Sequence, residues 1–389
     1  METNLYEEID FGIDELFFSI TDLKGNIESS NDIFVKISEY SKSELVSSPH
    51  SIIRHQEMPS CVFKLLWEYI QNQKAVVAYV VNKTKSGKSY WVIGSVFPLN
   101  DKYISIRIKP TSAIFKLVQE LYPILLEDEK INGIDSSLNL LLTIIKQKGF
   151  DSYDSFMNYA LLEEFKSRNN LIKEKTSYKI DTNCKYLEDI SLKNLCHSIE
   201  KNIIMKEKID SNFANIDTLQ KLKTLFEQSA SNFKFISRDL LFLSLNSSII
   251  AAKLDKIGET FSILAKAIRE SARENEAITE LFEKDISALN KNISEKIFYT
   301  TLSSFQIEMV LFFSYELINK FKNDNSHEDE KQETFKIVGF LNDLIKQYLT
   351  NLHEVITISK QKIVQTNSVL DGIQKNSMFL NYINIYMVQ

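Results

Sequence analysis

The chain has 389 residues, 44% of them hydrophobic and 25% charged, which is the balance of ordinary globular protein and enough length for two or three domains. Its formal net charge of -6, with no long run of one sign, excludes the basic stripe that a nucleic-acid groove needs. Three cysteines (Cys61, Cys184, Cys196) lie far apart with no CxxC pair, and read as buried thiols in a reducing compartment.

The first ten residues, METNLYEEID, are acidic and lack the basic and apolar regions of a signal sequence. Apolar runs such as 310–318 fall short of the ~20 residues needed to cross a bilayer. These features predict a cytoplasmic protein with no membrane span. There is no GxGxxG, no P-loop and no HExxH, and no acid–base or nucleophilic constellation stands out, so the chain is not expected to be an enzyme.

All five prolines and both tryptophans lie in the first third. Proline costs ~3 kcal/mol inside a helix, so its absence after Pro123 predicts nearly unbroken helix, with a domain boundary near Lys109-Pro110. Before that boundary, Leu16–Asp22 reads as a strand, Lys24-Gly25-Asn26 as a turn and Ile27–Ser29 as the start of a return strand. Short helices fill Asn31–His55, and a longer one runs from about Pro59 to Asn72. Three strands follow, Ala75–Asn82, Ser89–Leu99 and Tyr103–Lys109, the last with Ile104, Ile106 and Ile108 on one face. Gly87 is placed at the positive-φ position of the hairpin turn 85–88.

Beyond Thr111 the pattern is helical. Segments are predicted at 115–130 and 136–148, the second stopped by Gly149, then at about 151–175 and 181–208. From Leu219 a heptad seam runs without a slip through Leu222, Phe226, Ser229, Phe233, Ile236, Leu240, Leu243, Ser247 and Ile250. A second seam links Phe261, Leu264, Ile268, Ser271, Asn275, Ile278 and Phe282. The break at Lys253–Gly258 between them predicts an antiparallel helical hairpin. Helix 305–321, a polar loop at Asn323–Glu333 and a final helix pair bent near Asp371-Gly372 complete the chain.

Strand, strand, helices and three strands in about a hundred residues is the order of a PAS domain. The segment Asn31-Asp32-Ile33-Phe34, then Pro49-His50 through Arg54-His55-Gln56-Glu57-Met58-Pro59, with Phe63, Trp67, Asn82, Tyr90, Trp91 and Ser105-Ile106-Arg107, resembles the sensor domain of the aerotaxis-receptor family. That resemblance implies an FAD cofactor, with Arg54, His55, Glu57, Asn31, Trp67 and Asn82 at the positions that hold it. A forked guanidinium suits a pyrophosphate, and an indole stacks on a flavin or adenine ring. The family's RHPDMP is RHQEMP here. A haem on His50 or His55 is an alternative with no further support. A light-sensing flavin needs a cysteine that attacks the ring, and Cys61 does not fit that pattern.

Leu243-Ser244-Leu245-Asn246-Ser247-Ser248-Ile249, followed by Ala251-Ala252-Lys253, is similar to the signalling tip of methyl-accepting chemotaxis proteins. In that family the polar tip contacts a histidine kinase and its coupling protein, which places Ile250, Lys253, Gly258 and Glu259 at the partner-binding positions and implies a homodimer. Ile250 replaces the family's glutamate, Lys253 its arginine, and Glu259 reverses a charge. Two readings stay open: a chemotaxis or aerotaxis transducer, and a PAS-containing regulatory module that has lost kinase contact and controls another partner. The expected architecture is α+β: a PAS sensor with a five-stranded antiparallel sheet at 1–110, a helical connector at 111–210, a coiled-coil hairpin at 211–295 and C-terminal helices at 296–389.

Overall fold

The computed structural model describes residues 7–175, 190–213, 216–253, 255–323 and 328–388. Five strands, β1 Phe17–Asp22, β2 Ile27–Ser30, β3 Val76–Lys83, β4 Ser89–Leu99 and β5 Lys102–Ile108, form one antiparallel sheet in the order β2-β1-β5-β4-β3. Between β2 and β3 lie α1 Asp32–Ser38, α2 Lys42–Leu45, a 3₁₀ turn His50–Ile53 and α3 Ser60–Gln71. The expected strands and helices are all present, β3 and β5 each displaced by one residue. Gly87 takes φ +92° in its turn.

Strand alternation splits the sheet into two faces. Because Ser19 pairs with Ser105 and Phe17 with Arg107, these residues share one face, while Phe18, Ile20, Ile104 and Ile106 share the other. The first face is cupped by α1, α2 and the 3₁₀ turn over a core of Phe17, Ile27, Phe34, Ile37, Leu45, Ile53, Tyr90 and Val92. The second face is covered by helices from later in the chain. Trp91 packs on Phe115 and Tyr122, Phe18 meets Phe313 edge-on at 5.0 Å, and Phe97 meets Tyr348 at 5.2 Å. Each such aromatic pair adds ~0.5–1.5 kcal/mol beyond burial.

The helices are α4 Ala113–Asn132, α5 Ile134–Gln147, α6 Tyr153–Lys175, α7 Ile190–Phe213, α8 Ile216–Ala251, α9 Asp255–Asn323 and α10 Glu328–Val388. Ser112 caps α4 by accepting from the Ile114 amide, and Pro123 lies inside that helix. Gly149 ends α5 at φ +92°, as its position predicts. Three expectations change. The loop at Asn323–Glu333 is shorter, because α10 begins at Glu328. The final helix pair is one helix, which runs through Gly372 at a cost of ~1 kcal/mol. The helix expected at 181–208 spans 190–213, its first residues lying outside the described chain.

A segment in Arg269–Phe321 of α9 does reach membrane-span length and composition, with mean hydropathy 1.2, contrary to the reading of short apolar runs. Threonines and serines between the apolar residues lengthen the window. It is 83% buried within the protein, as expected of a core helix. Its internal charge has a partner there: Glu308 lies 2.7 Å from the guanidinium of Arg168 on α6, whose Nε donates to the Ile13 carbonyl. Cys196 is disulfide-bonded, against the expectation of three free thiols, whereas Cys61 is free and buried.

Contacts divide the chain into two units. The first comprises Met1–Ser211 with Ile297–Thr350, the second Asn212–Lys296 with Asn351–Gln389. In the first unit, the junction after β5 is held by Glu164 of α6, which is fully buried. Its carboxylate accepts from the Thr111 and Ser112 amides, the Ser112 hydroxyl and the Tyr79 hydroxyl of β3. In the second unit, α8 and α9 pair antiparallel. Lys223, Glu227, Lys234 and Ser248 meet Ser294, Asn290, Glu283 and Arg269, so each step up one helix matches an equal step down the other. The turn falls at Ala252-Lys253, and helix resumes by Asp255 rather than after Gly258. Lys253 donates to Ile250 O there.

Candidate functional site: a pocket inside the sheet cup

The concave face of the sheet, α3 and the 3₁₀ turn enclose a cavity of about 340 Å³. Strand residues reach it only from alternate positions: Ser19 and Thr21, Val80 and Asn82, Gly94 and Val96, then Tyr103, Ser105 and Arg107. Phe63, Leu66, Trp67 and Ile70 of α3 form the opposing wall, and Lys24, Gly25, Pro49, His50, Ser51 and Arg54 the remainder. The volume is at the lower end of small-molecule sites (~300–1,000 Å³), so it suits a planar ring system better than a whole dinucleotide. Gly25 shapes one wall. It takes φ +85°, and a Cβ there would sit 3.1 Å from the Trp67 ring.

The dominant electrostatic feature is Arg107. Its side chain is buried, and no described acid lies within ion-pair distance. Its Nη2 donates to Ser19 Oγ (3.0 Å) and to His50 Nε2 (2.5 Å), and the guanidinium lies over the rings of Phe34 and Phe17. Burial draws the Arg107 pKa down to about 10. Burial first, and the Arg107 charge second, hold His50 well below the ordinary imidazole value, so His50 is neutral at neutral pH. With Nε2 accepting from Arg107, its proton resides on Nδ1. Asn82 is the second feature: it is buried, and its side-chain Nδ2 has no hydrogen-bond partner among the described residues. A buried orphan donor costs ~1–3 kcal/mol. A positive charge and a spare donor on one apolar cavity together call for a ligand rich in acceptor atoms.

Three of the six residues named as cofactor positions line this cavity: Arg54, Trp67 and Asn82. Arg54 Nη2 is engaged by the Met58 carbonyl and Ser60 Oγ, and its guanidinium lies over Phe63. Trp67 stands edge-on to Tyr103. The other three do not line the cavity. Asn31 is buried between Leu16 O and the Phe18 amide, tying β1 to α1. His55 is buried, and its Nδ1 accepts from the Glu57 amide, while the Glu57 carboxylate is largely exposed. Neither Arg107 nor His50 is among the residues that the family resemblance places at the flavin site, yet both line the cavity. Arg107 is legible as a polar member of the alternating strand 103–109, and His50 stands in the Pro49-His50 step of the 3₁₀ turn. Cys61 faces away from the cavity, where Ser137 Oγ donates to its sulfur.

At the hairpin turn, Ile250 is 57% exposed and Lys253 is exposed. The Gly258 and Glu259 side chains lie outside the described residues, as do those of Leu222, Phe233, Leu240, Phe261, Leu264, Ile268 and Asn275 of the seams. Of the remaining seam positions, Ser271 and Phe282 are buried, whereas Ile236 and Leu243 are about half exposed.

Comparison with known proteins agrees with the geometry of the front of the chain. Residues 27–106 match the family model described as PAS fold. A 114-residue stretch is 33% identical to the aerotaxis receptor of Escherichia coli (strain K12). It covers 28% of this chain and 22% of the receptor, so the chain spans about a fifth of that relative's length. Among solved structures, the light state of the Aureochrome1 LOV domain is 22% identical over 26% of this chain and 88% of its own, with TM-score 0.24. The LOV domain of the Erythrobacter litoralis EL346 blue-light-activated histidine kinase is 20% identical over 24% and 94%, with TM-score 0.22. Residues 27–106 of this chain thus match the PAS fold, and its 114-residue stretch is similar to part of the aerotaxis receptor.

Proposed function

We propose that the chain is a sensory transducer without catalysis of its own, whose pocket holds the ring system of a flavin nucleotide, FAD, with the rest of the dinucleotide outside the cavity, and whose helices relay the state of that pocket. One observation carries this reading: the buried Arg107 guanidinium and the unpartnered Asn82 amide open on the same cavity. Arg107, Asn82 and Trp67 would hold the ring system, and Lys24 and Arg54 the phosphates. When bound, the flavin supplies reversible electron uptake. The work of the chain's own residues is electrostatic. Arg107 sets a fixed positive charge against the ring, His50 stays neutral beside it, and Asn82 donates a hydrogen bond whose strength follows the electron density it meets.

Relay is supported by the two-sidedness of β4 and β5. Gly94, Val96, Ser105 and Arg107 face the pocket, while Trp91 and Phe97 pack on α4 and α10. A sub-ångström shift of these strands moves helix contacts directly. Half-exposed Phe235, Ile236, Phe242 and Leu243 on α8 support a homodimer in which a second hairpin covers them. In this reading the protein is cytoplasmic, and the hairpin turn addresses a chemotaxis kinase complex. The second reading, a regulator that has lost kinase contact, is favoured by the exposed apolar Ile250 and by Lys253, which lacks the planar fork of arginine.

Release of the small molecule from the purified full chain by denaturation, with its mass determined, tests the pocket. FAD is expected. Finding neither FAD as purified nor uptake of added FAD overturns the cofactor reading. Capture of a chemotaxis kinase separates the two relay readings. Under the second, wild type captures none, and Ile250→Glu with Lys253→Arg and Glu259→Arg gains capture.

A further inference from the structure

The contact between the sensor domain and α9 contains a carboxyl group in an unusual setting. Phe313 of α9 packs edge-on against Phe18 of β1. One turn on, Glu316 reaches the start of α1, where its Oε1 accepts from the Asp32 amide at 3.2 Å. Its second oxygen, Oε2, is shielded from solvent and has no hydrogen-bond partner among the described residues. The charged groups that face it are the Asp32 carboxylate from α1 and Lys320 from its own helix, with the Asn31 amide hydrogen-bonded beside it. Asn31 also bridges Leu16 and Phe18, so this one carboxyl group touches the residue that joins β1 to α1.

We propose that the chain carries a second input, the proton concentration of its compartment, read at Glu316 where α9 clasps the sensor domain. The geometry explains why a proton matters there. An ionised Glu316 leaves a charged, dehydrated oxygen without a donor and sets it against Asp32. A protonated Glu316 removes both penalties and keeps Oε1 as acceptor for the Asp32 amide. Burial first, and Asp32 second, push its carboxyl up to about 7. Between the ordinary carboxylate value of 4.5 and about 7, the docked form holds a proton that the undocked form has lost. Docking is therefore tightest below about pH 4.5, weakens as pH rises from there, and levels off above about 7.

This input is separate from the pocket and does not depend on which ligand the pocket holds. The test is hydrogen exchange of the full-length protein, read as protection factors for α1 and for residues 309–320 at a series of pH values. A midpoint near 7 predicts about a tenfold loss of protection between pH 6 and pH 8. Glu316→Gln keeps the acceptor and removes the titration, so its protection is expected to be flat across that range. Lys320→Met removes the facing cation and moves the wild-type midpoint upward. A flat wild-type profile overturns the proposal, as does a Glu316→Gln profile that falls like the wild type.

Discussion

Replacing Arg107 by methionine separates ligand binding from stability, because the two are predicted to change in opposite directions. In the ligand-free chain the guanidinium is buried with no described acid beside it, and burial draws its pKa down from the ordinary guanidinium range to about 10. At 1.36 kcal/mol per tenfold step in acidity, that fall is about 3 kcal/mol of destabilisation, present at every pH below about 10 and relieved only as pH rises beyond it. The bonds to Ser19 and His50 and the contacts with the Phe34 and Phe17 rings return ~2 kcal/mol. Arg107→Met is therefore expected to stabilise the ligand-free N-terminal domain by ~1 kcal/mol. Urea unfolding followed by tryptophan fluorescence reads this domain selectively, since Trp67 and Trp91 are the only tryptophans and both belong to it. With flavin present, the order reverses: wild type gains binding energy that the variant cannot. A ligand-free variant less stable than wild type by 1 kcal/mol or more would show that Arg107 is already compensated, and the argument for an acceptor-rich ligand would fall.

Gly25→Ala is expected to destabilise the domain by ~1–2 kcal/mol and to narrow the cavity, because it places a methyl group against Trp67 at φ +85°; weaker flavin retention on gel filtration checks this. Glu164→Gln turns an amide NH₂ toward backbone donors at the start of α4, with an expected loss of ~2–4 kcal/mol in thermal or urea unfolding. Arg168→Met and Glu308→Gln are each expected to cost ~3–5 kcal/mol alone and clearly less together, since either change alone strands a buried charge or donor; a double-mutant cycle measures the coupling.

The sheet was legible because period-two alternation and turn glycines are local signals, and 103–109 shows both. What alternation could not say is which face holds a cavity. Ile104, Ile106 and Ile108 share one face and Ser105 and Arg107 the other; both faces are covered, and the polar one lines the pocket. Arg54, His55 and Glu57 are neighbours in sequence, but successive side chains of an extended stretch point apart, and only Arg54 reaches the cavity. Asn31 matched a family position, but its place beside β1 gives it backbone partners instead. The hairpin followed from the heptad seams, although the turn came earlier than the pattern break suggested, because a helix can start again before its seam does. The contacts of Phe313 and Glu316 with the sensor domain join residues almost three hundred positions apart, and no local pattern encodes them.

The central claim is that the redox state of the pocket reaches the rear helices. Hydrogen exchange of the full-length protein, oxidised against chemically reduced under otherwise equal conditions, tests it most directly. The account predicts changed protection in β4 and β5, in α4 beneath Trp91, and in the hairpin around residues 240–253. Identical exchange in the two states, or a difference confined to the residues that line the cavity, would contradict it.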